Sequence, residues 1–192
     1  MASVLTEDSA AVARAAAGDA DAFGALVERH QEAAFRAAYL IVRDAAAAED
    51  VAQESFVRAF RNLRRFRAGD PFRPWLLRIV TNLALNEVRA RNRRGGLLGR
   101  LGAVQARAFD PPDERIAATD EASAVVRAIN ELPDDDRVVL YLRYFLELPE
   151  REIATAIGRP AGTVKSRLHR AGRRLREVIE QRYPQLRETA DA

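Results

Sequence analysis

The stretch LPEREIATAIGRPAGTVKSRLHRAGRRLRE, Leu148 to Glu177, has the pattern of two short helices joined by a tight turn. Ile153 and Ile157 are four residues apart, so they share one face of the first helix. Gly158 suits the left-handed backbone conformation that ends a helix, and Pro160 prevents a simple continuation of that helix. The stretch therefore predicts a helix-turn-helix.

The second helix of this motif has one apolar and one basic side. At about 100° per residue, its apolar residues fall within a narrow arc that faces inward. These residues are Val164, Leu168, Ala171 and Leu175. The chain from Arg159 to Arg176 contains several cations and no acid, whereas a solvated helix usually mixes the two signs. DNA binding is the favoured interpretation, and an ordinary charged surface is the alternative.

When a helix-turn-helix docks on DNA, the N-terminal half of its second helix reaches base edges in the major groove, and flanking arginines contact phosphates. The expected base-proximal residues are Lys165, Ser166, His169 and Arg170. The expected phosphate contacts are Arg159, Arg167, Arg173 and Arg174.

A second basic region lies upstream, between Arg58 and Arg107, where Asp70 and Glu87 are the acids among many arginines. Aromatic residues are interleaved with these arginines, as expected where single-stranded bases stack beside a phosphate track. They are Phe60, Phe66, Phe72 and Trp75. Core packing is the alternative role for these rings. One side of the following helix carries two arginines and two amides that can read base edges. It consists of Arg78, Asn82, Asn86 and Arg89.

The helix before this region has a different surface. The segment EDVAQESFVRAF, Glu49 to Phe60, places Asp50, Gln53 and Glu54 on about one turn of helix. An acidic and amide patch beside a basic region favours protein docking over DNA contact, with a solvated helix face as the alternative.

Helical spacing continues from Ala20 to about Arg91, and no segment shows the alternation expected of strands. We predict an all-α fold of two small helical domains, residues 1–92 and 120–192, the second being the helix-turn-helix domain. Between them, residues 93–119 are rich in glycine, proline and charge, which predicts a flexible linker.

Composition excludes several classes of protein. The chain of 192 residues has no cysteine and two histidines far apart in sequence, so we expect neither a disulfide framework nor a metal site. It has no run of about 20 apolar residues and no basic segment followed by an apolar one, which predicts a cytoplasmic protein. The net charge is +3, and nearly all cations are arginines, which suit phosphate.

The chain resembles the sigma-70 family of bacterial RNA polymerase subunits, specifically the two-domain extracytoplasmic-function group. Each matching piece is moderately specific, but their order and spacing together are highly specific. The pieces are DADAFGALVERHQ (Asp19 to Gln31), EDVAQESFVRAF, FRPWLLRIVTNLALNEVRAR (Phe72 to Arg91), LPDDDRVVLYLRYF (Leu132 to Phe145) and GTVKSRLHRA within the helix-turn-helix.

The resemblance implies a promoter-recognition subunit with two DNA-reading domains. Asp50, Gln53, Glu54 and Phe56 match the surface that binds the β′ clamp helices of core RNA polymerase. The segment from Phe66 to Arg89 matches the region that melts the minus-10 element and captures a flipped base, with Asn82 at a position of base readout.

The C-terminal motif matches the reader of the duplex minus-35 element, which also touches the polymerase β-flap. An anti-sigma factor is an implied partner, the linker would thread toward the RNA exit path, and the chain would join the nucleoid as part of the holoenzyme. No cofactor is implied.

Two alternatives remain at this stage. A stand-alone regulator would use the C-terminal motif alone, as a dimer on a palindrome. An enzyme acting on nucleic acid is disfavoured, because the sequence has no clustered carboxylates, no paired nucleophile and base, and no phosphate-binding glycine loop.

Overall fold

In the computed structural model, residues 2–67, 69–98 and 120–186 are described, and all regular structure within these ranges is helical. The helices form two units, one before and one after residues 99–119. The predicted all-α, two-domain fold is therefore confirmed. Most of the predicted linker lies outside the described residues, and the domain boundaries stay a prediction.

The first unit contains α1 (Ala2–Ala16), α2 (Ala20–Val42), α3 (Ala45–Asn62) and α4 (Phe72–Leu98). Asp19 and Asp44 cap α2 and α3, since each carboxylate accepts a hydrogen bond from a backbone N–H three residues on, at 2.9 Å. Leu26, Leu76 and Val80 are buried in the core that α2, α3 and α4 share. Residues spaced three and four apart thus supply the inward stripe of each helix.

Two features of this unit differ from the sequence-based expectation. Helix α1 was not predicted, and it packs on α2 through Val12 and Ala15 and through the buried Asp8. Helix α4 runs to Leu98, beyond the end expected near Arg91. Glu87 supports this extension, because it accepts hydrogen bonds from Arg91 at 2.9 Å and from Arg94 at 3.1 Å along the last turns.

The second unit contains α5 (Asp120–Asn130), α6 (Asp134–Leu140), α7 (Glu150–Ile157) and α8 (Ala161–Arg182). Helix α6 continues as one wide turn of π-helix, Tyr141–Phe145. The buried Tyr141 hydroxyl donates to the Asn130 side chain at 2.8 Å and so links this turn to α5. Leu148 and Ile153 lie fully inside the core beneath α7.

The two units pack against each other, with α4 lying along α7. The Arg36 and Arg73 guanidinium groups of the first unit donate to the backbone carbonyls of Phe145 and Leu146, at 3.3 and 3.2 Å. These bonds satisfy carbonyls near the end of the π-helical turn. We call this packing of the two units the closed arrangement.

Candidate nucleic-acid interface

The predicted helix-turn-helix is formed by α7 and α8. Gly158 ends α7 in the left-handed region, with φ of +63°, and its N–H bonds back to α7 carbonyls. Pro160 then precedes the first turn of α8. The inward arc holds as predicted, because Val164 and Ala171 are fully buried. The glycine and proline positions read from the sequence therefore correspond to the turn between the helices.

The opposite side of α8 is exposed and basic. Four of its predicted DNA contacts have neither an ion pair nor a hydrogen bond from their side chains within the described part of the chain: Lys165, His169, Arg170 and Arg173. Ser166 is exposed as well, and its hydroxyl donates to the Thr163 carbonyl at 3.0 Å, which leaves the oxygen's lone pairs outward. This side can approach an anionic duplex without first breaking internal ion pairs.

Two other predicted phosphate contacts are already paired inside the molecule. Arg167 lies 3.0 Å from Asp135, and Arg174 bonds to the buried Asp136, so both carboxylates come from the first turn of α6. These pairs tie α8 to α6. The sequence shows the three consecutive aspartates at 134–136, but not which arginines they face, since the partners are 32 and 38 residues apart.

The predicted minus-10 residues lie along one exposed side of α4. Arg78, Asn82, Asn86 and Arg89 are all exposed, as the helical spacing indicated. Beside Arg78 and Asn82, a cavity of about 350 Å³ is lined also by Trp75 and by arginines of the first unit. Its size and donors suit a base flanked by phosphates.

The aromatic residues near this surface belong largely to one cluster. Phe66 meets Trp75 edge to face, with ring centroids 5.0 Å apart, and Phe72 is buried behind them. Phe60 is 50% exposed and contacts Phe23 at 4.9 Å. Phe66 is half-buried, so part of its side chain is accessible beside this surface.

The predicted polymerase-binding residues lie on α3. Asp50 and Gln53 are exposed, and Glu54 pairs with Arg58 at 2.7 Å. Phe56 is 8% exposed and belongs to the core of the first unit. The three polar residues thus lie together on the surface of α3, while the Phe56 side chain is buried on the core side of the same helix.

The closed arrangement brings the two predicted DNA surfaces face to face. A cavity of about 220 Å³ between the units is lined by Asn82, Asn86 and Arg89 on one side and by Arg159 and Arg167 on the other. Leu85, the apolar residue on the polar side of α4, lines the same cavity, and Ile157 lies across it. Its position in the wall between the units accounts for an apolar residue on the otherwise polar side of α4.

A buried polar cluster holds α1 in place, and sequence reasoning missed it. The Asp8 carboxylate bonds to Arg29 and lies 2.9 Å from the His30 Nε2. Burial lowers the pKa of His30, outweighing the opposing effect of Asp8, and Arg29 and Arg73 act in the same direction as burial. We therefore assign a neutral ring whose Nε2–H donates to Asp8.

The described residues contain no group of three or more side chains suited to a metal ion. Among the helices described, none has the length and apolar content needed to cross a bilayer.

Comparison with known proteins gives the class of this chain. The model of Sigma-70 region 2 matches residues 26–94, and that of Sigma-70 region 4 matches residues 122–175. The chain belongs to the sigma-70 family of RNA polymerase sigma factors. Within that family, it falls in the extracytoplasmic-function group, as the relatives below indicate.

Two curated relatives span nearly the same length. The RNA polymerase sigma-H factor of Pseudomonas aeruginosa is 38% identical, over 95% of this chain and 97% of its own. The ECF RNA polymerase sigma factor SigW of Bacillus subtilis is 30% identical, over 84% of this chain and 91% of its own.

Among solved structures, CnrH in complex with the cytosolic domain of CnrY is 28% identical, with a TM-score of 0.70 over 92% of this chain and 99% of that one. RpoE of Bartonella quintana, solved with the anti-sigma factor NepR, has a TM-score of 0.63 over 82% of this chain and 96% of that one. At 23% identity, the likeness to RpoE supports the fold alone.

The predicted family, fold and function are confirmed by these matches. The chain is a sigma factor that binds core RNA polymerase, reads the minus-10 and minus-35 elements and directs promoter-specific initiation. Sigma factors are initiation factors and not enzymes, and they act on DNA in the cytoplasm. Both alternatives, the stand-alone regulator and the enzyme, are thereby set aside.

Proposed function

We propose that the two units divide promoter recognition between them. The α4 side, with Phe66, Arg78, Asn82, Asn86 and Arg89, reads and melts the minus-10 element. Helix α8 reads the minus-35 duplex. The observation that carries the proposal is that the exposed sides of both helices are rich in hydrogen-bond donors without internal partners, and that the residues assigned to DNA on each side include no acid.

On α8, Lys165, Ser166, His169 and Arg170 contact base edges, and Arg173 contacts phosphate. Arg159 also contacts phosphate once the units have separated. Arg167 and Arg174 act in the same way only if they exchange their aspartate partners for DNA phosphates, since both are already paired with α6.

The acidic patch on α3 docks on the β′ clamp helices. Support comes from the exposure of Asp50 and Gln53 and from the acidic and amide character of the patch, which differs from the basic and amide side of α4. Phe56 keeps α3 in place from within the core. The second unit also docks on the β-flap, and the whole chain is nucleoid-associated when it is part of the holoenzyme.

The division at residues 92 and 120 assigns the first unit to docking and minus-10 recognition and the second to minus-35 recognition. By their names, the two elements are about 25 base pairs apart, roughly 85 Å of duplex. Extended chain over residues 99–119 spans at most roughly 75 Å, to which the widths of the units add. The linker and the units together can cover this separation, but in the closed arrangement the two DNA surfaces face each other. Simultaneous reading of both elements therefore requires the closed arrangement to open.

An anti-sigma factor is the proposed negative regulator. Support comes from RpoE, a relative in fold, which was solved with the anti-sigma factor NepR. Because this chain has no cysteine, any thiol-based sensing would reside in that partner.

The docking role is tested by reversing one charge on α3. We expect Asp50→Arg to weaken binding to core polymerase and to reduce run-off transcription, because the exposed carboxylate would be replaced by a cation. Glu28→Arg is the matched control, since Glu28 is also exposed and lies on α2, outside the patch. If the two variants lose polymerase affinity equally, the docking assignment is wrong.

A further inference from the structure

The 220 Å³ cavity between the units is a distinct chemical environment. Its walls come from α4 on one side and from α6, α7 and α8 with the turn at Arg159 on the other, so it exists only in the closed arrangement. It is smaller than the roughly 300–1,000 Å³ of sites for drug-sized ligands, which limits any occupant to a small molecule or ion.

Positive charge exceeds negative charge in this cavity. Arg89, Arg159 and Arg167 line it, and Asp135 is the single acid among its lining residues. Asp135 is already paired with Arg167 at 3.0 Å. Arg89 and Arg159 have no ion pair within the described residues, so two uncompensated guanidinium groups line the same cavity. Like charges held together in this way favour the binding of an anion.

The neutral groups of the cavity are also suited to an anion. The Asn82 and Asn86 amides each offer two N–H donors. Thr81, which is 1% exposed, lies in the wall, and its hydroxyl has no hydrogen-bond partner within the described residues. Several donors that approach from different helices match the spread of oxygens on a tetrahedral phosphate better than a single planar carboxylate.

We propose that this cavity binds a small free phosphate anion, of the phosphate or pyrophosphate class, and that such binding stabilises the closed arrangement. The anion contacts residues of both units, so it binds the closed form and not the open one, and mass action shifts the population accordingly. Its contacts on α4 are those assigned above to the minus-10 element, so the anion opposes promoter binding. The inference rests on the packing of the units, and its test needs neither polymerase nor promoter.

The first experiment is calorimetric titration of the full chain with pyrophosphate at constant ionic strength. We expect one site per chain, and we expect Arg159→Gln to weaken it about tenfold or more, because a charge-assisted contact is lost. Arg151→Gln removes the same charge from an exposed position on α7 outside the cavity, and it should change the affinity less than about twofold. Equal losses in both variants, or no binding by the unmodified chain, would overturn the proposal.

The second experiment measures the distance between the units. The chain has no cysteine, so Glu28→Cys and Gly172→Cys provide two exposed dye positions, one on each unit. Pyrophosphate should raise energy transfer between the dyes, and Arg159→Gln should abolish that rise. A single-stranded oligothymidylate is the comparison arm and should lower the transfer by competing for α4. If the oligonucleotide raises transfer and pyrophosphate does not, the phosphate recognised is that of nucleic acid, and our assignment to a free anion is wrong.

Discussion

Gly158, the residue that separates the helices of the helix-turn-helix, provides a sharp test of the fold at the DNA-reading motif. Its φ of +63° lies in the left-handed region, where an L side chain costs roughly 1–2 kcal/mol. Alanine recovers about 0.4–1 kcal/mol by restricting the unfolded chain. We therefore expect Gly158→Ala to lower the free energy of unfolding by about 1 kcal/mol, or roughly 2–4 °C in Tm for a chain of this size.

The new methyl group also approaches the other unit. A Cβ at position 158 would lie 3.2 Å from a terminal nitrogen of Arg78, which is the far end of a flexible side chain. That end can move aside, so we expect the backbone conformation to account for most of the loss. The double variant with Arg78→Ala should recover little of it.

Gly172→Ala is the matched control. Gly172 lies within α8, and a Cβ there would meet nothing within 4 Å. Alanine should stabilise this exposed helical position by about 0.5–1 kcal/mol. Urea unfolding followed by circular dichroism measures both variants, and the expected changes have opposite signs. A neutral or stabilising Gly158→Ala would refute the reasoning, and substantial recovery with Arg78→Ala would show that the contact between the units dominates.

Two further predictions concern pH and base recognition. Because burial lowers the pKa of His30 below its usual 6.5, the folded chain binds fewer protons than the unfolded chain near pH 6, and stability should fall as the pH drops below about 6.5. His30→Gln should flatten this decline in Tm between pH 7.5 and 5.5; an unchanged profile would mean that another group is responsible. Arg170→Ala should cost roughly 1–3 kcal/mol on the preferred minus-35 duplex and less on altered sequences, as binding titrations would measure. A uniform loss on all sequences would make Arg170 a phosphate contact instead.

The sequence predicted the parts of this structure that depend on neighbouring residues. The turn at Gly158 follows from the conformational freedom of glycine and from Pro160, and the inward arc of α8 follows from helical spacing. The exposed positions of Asn82 and Asn86 on α4 were predicted in the same way.

The parts that the sequence did not predict depend on residues far apart in the chain. Helix α1 has few large apolar residues, and its buried Asp8 is explained only by Arg29 and His30, 21 and 22 residues away. The extension of α4 was not predicted because glycines at 95 and 96 are typical of a linker. In the structure, the hydrogen bond between Glu87 and Arg91 stabilises the helical turns that precede these glycines. The cavity between the units is lined by α4 residues and by residues of the second unit that are at least 46 positions away in sequence.

The pairing of Arg167 and Arg174 with α6 also determines how salt should affect minus-35 binding. DNA binding releases about 0.9 counterions for each phosphate neutralised. If both arginines keep their aspartates, Arg159 and Arg173 remain as phosphate contacts, and log K should fall with log salt at a slope of about −1.8. Exchange of both pairs would steepen the slope to about −3.6. When the two pairs persist, Asp135 and Asp136 compete with DNA phosphates for Arg167 and Arg174. Promoter binding is then less sensitive to the ionic strength of the cell than the arginine content of α8 suggests.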